Sequence, residues 1–180
     1  TISVAGVKIA GTVAAQKDMV YVTGVTGTKV ANETNGVQLT LEHALSQIQI
    51  SAKSDNAVYT YQVKGIRIAN VDGEADFNVV NGTWSNNAAN DQIYEVKYAT
   101  PVTLNGTAQS IMERKQDNGT DYSDNAMLLP QAVATTAWNV ENDKINTNKG
   151  TYISVLLRIT KTSDNSIVSP AEGTETYGWV

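Results

Sequence analysis

The chain runs to 180 residues with no cysteine, so it has no disulfide framework, no thiolate chemistry and no cysteine-based metal site, and its length suits one well-buried domain or one domain with part of another. Eighteen acidic residues against thirteen basic ones leave a formal net charge of −5, a balance that disfavours nucleic acid and anionic membrane surfaces and points to proteins or neutral glycans as partners. No apolar run reaches the length of a membrane span and the opening TISVAGVKIAG lacks the charged and apolar regions of an export signal, so membrane attachment is expected only through an anchor outside this chain.

In chain order, Ile2 to Val13 is apolar and β-branched with breaks at Gly6 and Gly11, which predicts one or two short strands. Met19 to Val25 predicts another, bounded by the glycines between Gly24 and Gly27 and by Asn35-Gly36. Val37, Leu39 and Leu41 alternate with Gln38, Thr40 and Glu42, the pattern of a strand with one buried face. His43-Ala44-Leu45 interrupts that alternation, and it resumes as Ile48, Ile50 and Ala52 against Gln47, Gln49, Ser51 and Lys53. Ser54-Asp55-Asn56 predicts a turn, since these side chains bond their own backbone. Ala57 to Ile68 is a third extended run, in which Gly65 shifts the phase as a bulge does.

Further on, Asp72-Gly73 is a hairpin signal, Phe77 to Val80 a short strand and Asn81-Gly82 a turn. Tyr94, Val96 and Tyr98 alternate with Glu95 and Lys97 in a strand expected to end before Pro101, and Val102 to Leu104 and Gln109 to Arg114 flank Asn105-Gly106. Tyr152 to Thr160 has a near-continuous apolar centre, which suggests a place inside a sheet. At most one or two short helical turns are expected, with Leu41 to Ile48 the better candidate and Gln131 to Trp138 the weaker. Many short strands between such turns predict an all-β, antiparallel sandwich or barrel.

His43 is the only histidine, so a catalytic triad or a histidine metal site would have to be built around it alone, and no nucleophile elbow, phosphate loop or dinucleotide fingerprint occurs. A non-catalytic protein with no cofactor and no bound metal is therefore expected. Asp117, Asp121 and Asp124 share a loop that lacks the sixth-position glycine and closing glutamate of a calcium loop, Asp72, Glu74 and Asp76 alternate along the chain, and solvated hairpins are the default for both groups. His43 itself is expected to be buried or half-buried beside Leu39, Leu41 and Leu45, its ring satisfied by neighbours. Among Trp84, Trp138, Trp179 and the strand tyrosines, packing in the core or across strands is the ordinary role. Trp138, in TTAWNVEND, is the one aromatic singled out for a possible glycan contact.

Four stretches carry a resemblance. The strand leading into His43-Ala44-Leu45-Ser46-Gln47-Ile48, followed by Tyr61-Gln62-Val63-Lys64-Gly65-Ile66-Arg67-Ile68, resembles the fimbrillin family, the subunits of fimbriae on the surface of Bacteroidales bacteria. Asp18-Met19-Val20-Tyr21 is similar to the segment opening that family's second domain, Ala126-Met127-Leu128-Leu129-Pro130-Gln131 to its apolar-Pro-Gln strand, and Tyr177-Gly178-Trp179-Val180 to a late strand. The likeness runs in consistent order from Lys17 to Val180 and implies a transthyretin-like sandwich. It makes residues 1–16 the end of a preceding domain or a linker, and residues 17–180 a fimbrillin-like domain lacking its last strand. His43, Ala44 and Leu45 become a structural motif.

The function the resemblance implies is that of a non-catalytic structural subunit or accessory protein of surface fimbriae. Such a subunit joins others by β-strand addition and mediates adhesion to a host or bacterial surface protein or glycan. It would be exported to the cell surface, outer membrane or fimbrium, with any lipoprotein anchor outside this chain. A surface glycan-binding sandwich is the alternative. A missing last strand implies an open edge, lined by alternating apolar residues, on the sheet holding Tyr152 to Thr160 or Tyr177 to Val180.

Overall fold

The computed structural model describes residues 2–88, 91–112, 115–117, 120–122, 125–133, 150–170 and 176–180. In chain order the elements are β1 (Ser3–Lys8), β2 (Val20–Tyr21), the helical turn α1 (Lys29–Asn32), β3 (Glu42–His43), β4 (Ser46–Ile48), β5 (Ser51–Ala52), β6 (Tyr59–Val71) and β7 (Glu74–Asn78). They continue with β8 (Thr83–Ala88), β9 (Gln92–Thr103), β10 (Gln109–Ser110), β11 (Lys115–Asp117), β12 (Thr120–Tyr122), β13 (Ala126–Leu128), β14 (Tyr152–Lys161), β15 (Ile167–Ser169) and β16 (Gly178–Trp179). All pairings between these strands are antiparallel, and the fold is an all-β antiparallel sandwich.

One layer is built on β6, whose thirteen residues pair with β14 on one side and β9 on the other, while β15 and β16 lie along the far side of β14. This is why β14 could be nearly apolar throughout: it sits inside the sheet. Gly65 acts as the sequence predicts, for the register with β9 slips between Val63 and Gly65. Val63, Ile66 and Ile68 all reach the core on either side of that slip. The opposing layer runs along residues 42–52, where β3 pairs with β2, β4 with β13 and β5 with β10 in succession. Ile48, Ile50 and Ala52 pack from it on the core cluster that holds Val63, Ile66, Tyr94, Val96 and Val102, while Gln47, Gln49, Ser51 and Lys53 face water.

Between the layers the chain turns where its polar side chains can satisfy its backbone. Asn56 Oδ1 accepts from the amides of Val58 and Tyr59, which starts β6 after the predicted Ser54-Asp55-Asn56 turn. Asn81-Gly82 connects the paired strands β7 and β8, with Gly82 at φ +68°. Asp72-Gly73 proves to be a corner and not a hairpin, because β6 and β7 belong to different sheets and β7 pairs with β1 and β8. Gln131 holds that corner, its Oε1 accepting from the Asp72 amide at 2.6 Å and its Nε2 donating to the Asp72 carbonyl at 3.1 Å. The apolar-Pro-Gln stretch thus ends in a side chain that ties β13's continuation to the sheet crossing.

Three other expectations are corrected. Leu41 to Ile48 is not helical: Glu42–His43 and Ser46–Ile48 are paired strands, and ladder bonds to β2 and β13 outweigh what an isolated two-turn helix can supply. The one α-helical turn among the described residues is α1, where Thr28 Oγ1 accepts from the Ala31 amide and Asn32 Oδ1 accepts in return from the Thr28 amide. The strand before Pro101 continues past it, with residues 98–101 looping out of register before Val102 pairs with Val63. Residues 37–41 form no strand, a point taken up below. Of the stretch Gln131 to Trp138, residues 131–133 are irregular and 134–138 lie outside the described residues.

Candidate functional site

His43, Ala44 and Leu45 sit where the layer opposing the β6 sheet passes from β3 to β4. The Ala44 amide donates to the Met19 carbonyl, its carbonyl accepts from Trp84 Nε1 at 2.8 Å, and Leu45 is buried in the core. His43 is the exception and corrects the expectation of burial, since its side chain is 75% exposed and its Nδ1 pairs with Asp18. Adjacent residues of a strand point to opposite faces, so with Ala44 turned inward His43 must face water. The pair Asp18–His43 joins the segment before β2 to β3, and the ring has no further hydrogen-bond partner among the described residues.

Asp72, Glu74 and Asp76 each have a partner of their own. Glu74 pairs with Lys8 at 3.2 Å, Asp76 accepts from the Gly6 amide at 2.7 Å and Asp72 accepts from Asn87 Nδ2 at 3.0 Å. Among the described residues no group of three histidine, aspartate or glutamate side chains could hold a metal ion. The side chains of Asp117, Asp121 and Asp124, and Trp138 as a whole, lie outside the described residues. Trp84 lies against the Phe77 ring at a centroid distance of 4.7 Å and packs on the core, and Tyr94 and Tyr98 are buried, as packing aromatics should be.

Two sheet margins bear on assembly. The outer side of β14 is covered from Val155 to Lys161: Val155 exchanges both backbone hydrogen bonds with Val180, Leu156 and Leu157 face β16, Ile159 and Thr160 face β15, and the Lys161 amide donates to the Ser166 carbonyl. That cover comes from residues 166–169 and 178–180 of the same chain. The second margin is the stretch 37–41. Val37, Leu39 and Leu41 keep their alternation, yet Leu39 is 59% and Leu41 60% exposed and no described residue pairs with them as a strand. The reason is length, since β2 has only two residues and ends opposite Glu42.

The face of the β6 sheet turned away from the core carries a cluster the sequence reading passed over. Arg67 on β6 binds the Glu95 carboxylate on β9 through Nε, Lys97 reaches the same carboxylate at 2.8 Å, and the Arg67 guanidinium lies 3.5 Å over the Trp179 ring of β16. Burial alone would raise the Glu95 carboxyl, but Lys97 and Arg67 together hold it below its ordinary value. Beside them Lys64, Lys97, Leu156, Tyr177 and Trp179 border an open cleft of about 570 Å³. Its signal in the sequence is positional: Glu95-x-Lys97 places two side chains on one face of β9, and Tyr177-x-Trp179 repeats that spacing at the entry to β16.

Against known proteins, a family model described as fimbrillin-like matches residues 1–173. No curated protein and no solved structure matches the chain.

Proposed function

The chain belongs to the fimbrillin-like family, and on that premise we propose that it is a non-catalytic structural subunit or accessory protein of bacterial surface fimbriae that joins other subunits by β-strand addition and takes part in adhesion. The observation that carries the mode of assembly is the stretch 37–41, extended in pattern, exposed and without a sheet partner among the described residues. Apolar side chains in water and a backbone without a ladder both cost free energy. An extended segment from another subunit removes both costs at once, its main chain supplying affinity and alternate side chains supplying specificity. On this reading the protein works at the cell surface within a fimbrium, and the outer membrane is reached through a lipid anchor outside residues 1–180.

The test is polymerisation of the purified protein, before and after trimming by a trypsin-like protease, followed by size-exclusion chromatography and electron microscopy. Leu39→Lys together with Leu41→Lys should leave the melting temperature unchanged, because both side chains already face water, and should block polymer growth. Undiminished polymers from that variant, or none from the parent under either condition, would remove strand addition at this stretch.

A further inference from the structure

We infer that the cleft on the outer face of the β6 sheet binds a carboxylated sugar, a pyranose bearing a carboxylate within a surface glycan, with its ring against Tyr177 and Trp179 and its carboxylate on Lys64. The inference goes beyond the subunit role and does not depend on strand addition.

The cleft follows from the sheet's own register. Lys97, Gly65, Leu156 and Trp179 stand opposite one another across β9, β6, β14 and β16. Gly65 is the only one of these without a side chain, so the row has a gap with an apolar floor at Leu156. A volume of about 570 Å³ lies in the range of small-molecule sites. Tyr177 and Trp179, two residues apart, supply flat apolar walls of the kind on which the C–H face of a pyranose rests.

Charge selects the ligand. Arg67, Lys64 and Lys97 bring three cations to this face against one carboxylate among the described residues, that of Glu95, within a chain whose net charge is −5. Arg67 is taken up by Glu95 and Trp179, and Lys97 shares Glu95. Lys64 has no carboxylate partner among the described residues and its ammonium sits 5.1 Å from the centre of the Tyr177 ring. An ammonium beside an aromatic wall, partly shielded from water, attracts a carboxylate more strongly than an exposed lysine does. A neutral sugar would leave it unmatched.

Saturation-transfer NMR and calorimetry on the full chain test this with tetragalacturonate and sialyllactose as the two sources of acidic pyranose, the methyl ester of tetragalacturonate, acetate and a polyglutamate peptide. Saturable binding of either acidic sugar is expected. It should weaken about tenfold on esterification and on Lys64→Gln, the loss of one charge-assisted hydrogen bond. It should also weaken with Tyr177→Ala, fall with added salt and remain unchanged in Lys53→Gln, a substitution on the opposite layer. Failure of both sugars to bind, equal binding of the ester, or equal losses from Lys53→Gln and Lys64→Gln overturns the inference. So does acetate binding as tightly as the sugars, which makes the ring irrelevant, or polyglutamate binding more tightly, which makes the ligand a protein.

Discussion

At the level of single residues, two buried or half-buried groups near the centre of the main sheet make opposite predictions. Glu95 is held below the ordinary carboxylate value of 4.5 by Lys97 and Arg67, which overcome the rise that burial alone would cause. A depressed folded value contributes stability that is present above about pH 4.5 and is lost as pH falls through the depressed value. Urea midpoints taken from about pH 6 down to about pH 3 should therefore show the parent falling toward Glu95→Gln, with the gap between them closing in acid. A gap that stays constant with pH would mean the two cations do not act through the carboxylate's charge. Tyr94 presents the reverse case. It is fully buried, its hydroxyl has no hydrogen-bond partner among the described residues, and burial followed by the Asp72 charge pushes its pKa up to about 12. Tyr94→Phe removes a buried polar atom without orphaning another, so stability should hold or rise by about 1 kcal/mol. A loss of that size in urea denaturation would show that the hydroxyl is bonded.

Among the elements, β6 is the one on which both layers depend, and Gly65 is its tightest point. A methyl group there would lie 2.6 Å from the Val96 carbonyl oxygen and 3.5 Å from Leu156 Cβ, and a carbonyl held in a ladder cannot swing aside as a flexible side chain can. Gly65→Ala should cost about 3 kcal/mol, the upper end for overpacking, measured by thermal or urea unfolding. The same change would fill the gap in the outer face, so ligand binding and stability are read separately. How far the sequence discloses such elements depends on what fixes them. The bulge at Gly65, the alternation of Tyr94, Val96 and Tyr98 and the interior place of β14 are legible, because a two-residue period with one buried face leaves a mark in each strand. Ile48, Ile50 and Ala52 are legible for the same reason, but their three successive partners are not, since β2, β13 and β10 come from distant parts of the chain. Val37 to Leu41 shows the limit: the period is present, and no partner for it lies among the described residues. Nor could the outer cluster be read, because Lys64, Arg67, Glu95 and Trp179 meet only through the registers of four strands.

For the molecule as a whole, the open question is whether residues 1–16 can be removed from residues 17–180, as the end of a preceding domain or a linker could be. Pairing and packing argue about the energy of that cut. Ser3 to Lys8 cover one side of β7, the Ile9 amide donates to the Gly73 carbonyl at the sheet corner and the Glu95 amide donates to the Gly11 carbonyl beside β9. Ile9 and Val13 are buried among the core side chains of both layers. Gln16 completes the attachment, donating to the Ala10 carbonyl at 3.0 Å and accepting from the Met127 amide at 2.7 Å. Burying an aliphatic side chain is worth about 1.5–3 kcal/mol, so losing Ile9 and Val13 alone removes on the order of 3–6 kcal/mol. That is a large share of the 5–15 kcal/mol, roughly, that holds a domain folded. Truncation to residues 17–180 should therefore lower the unfolding midpoint steeply and leave β7 with a bare edge prone to association. Val13→Ala in the full chain should cost about 2 kcal/mol by the same route without exposing that edge. If residues 17–180 instead keep the parent's midpoint and remain monomeric, the N-terminal stretch is a separable tail, and its contacts with β7, β9 and Met127 contribute nothing to holding the sandwich together.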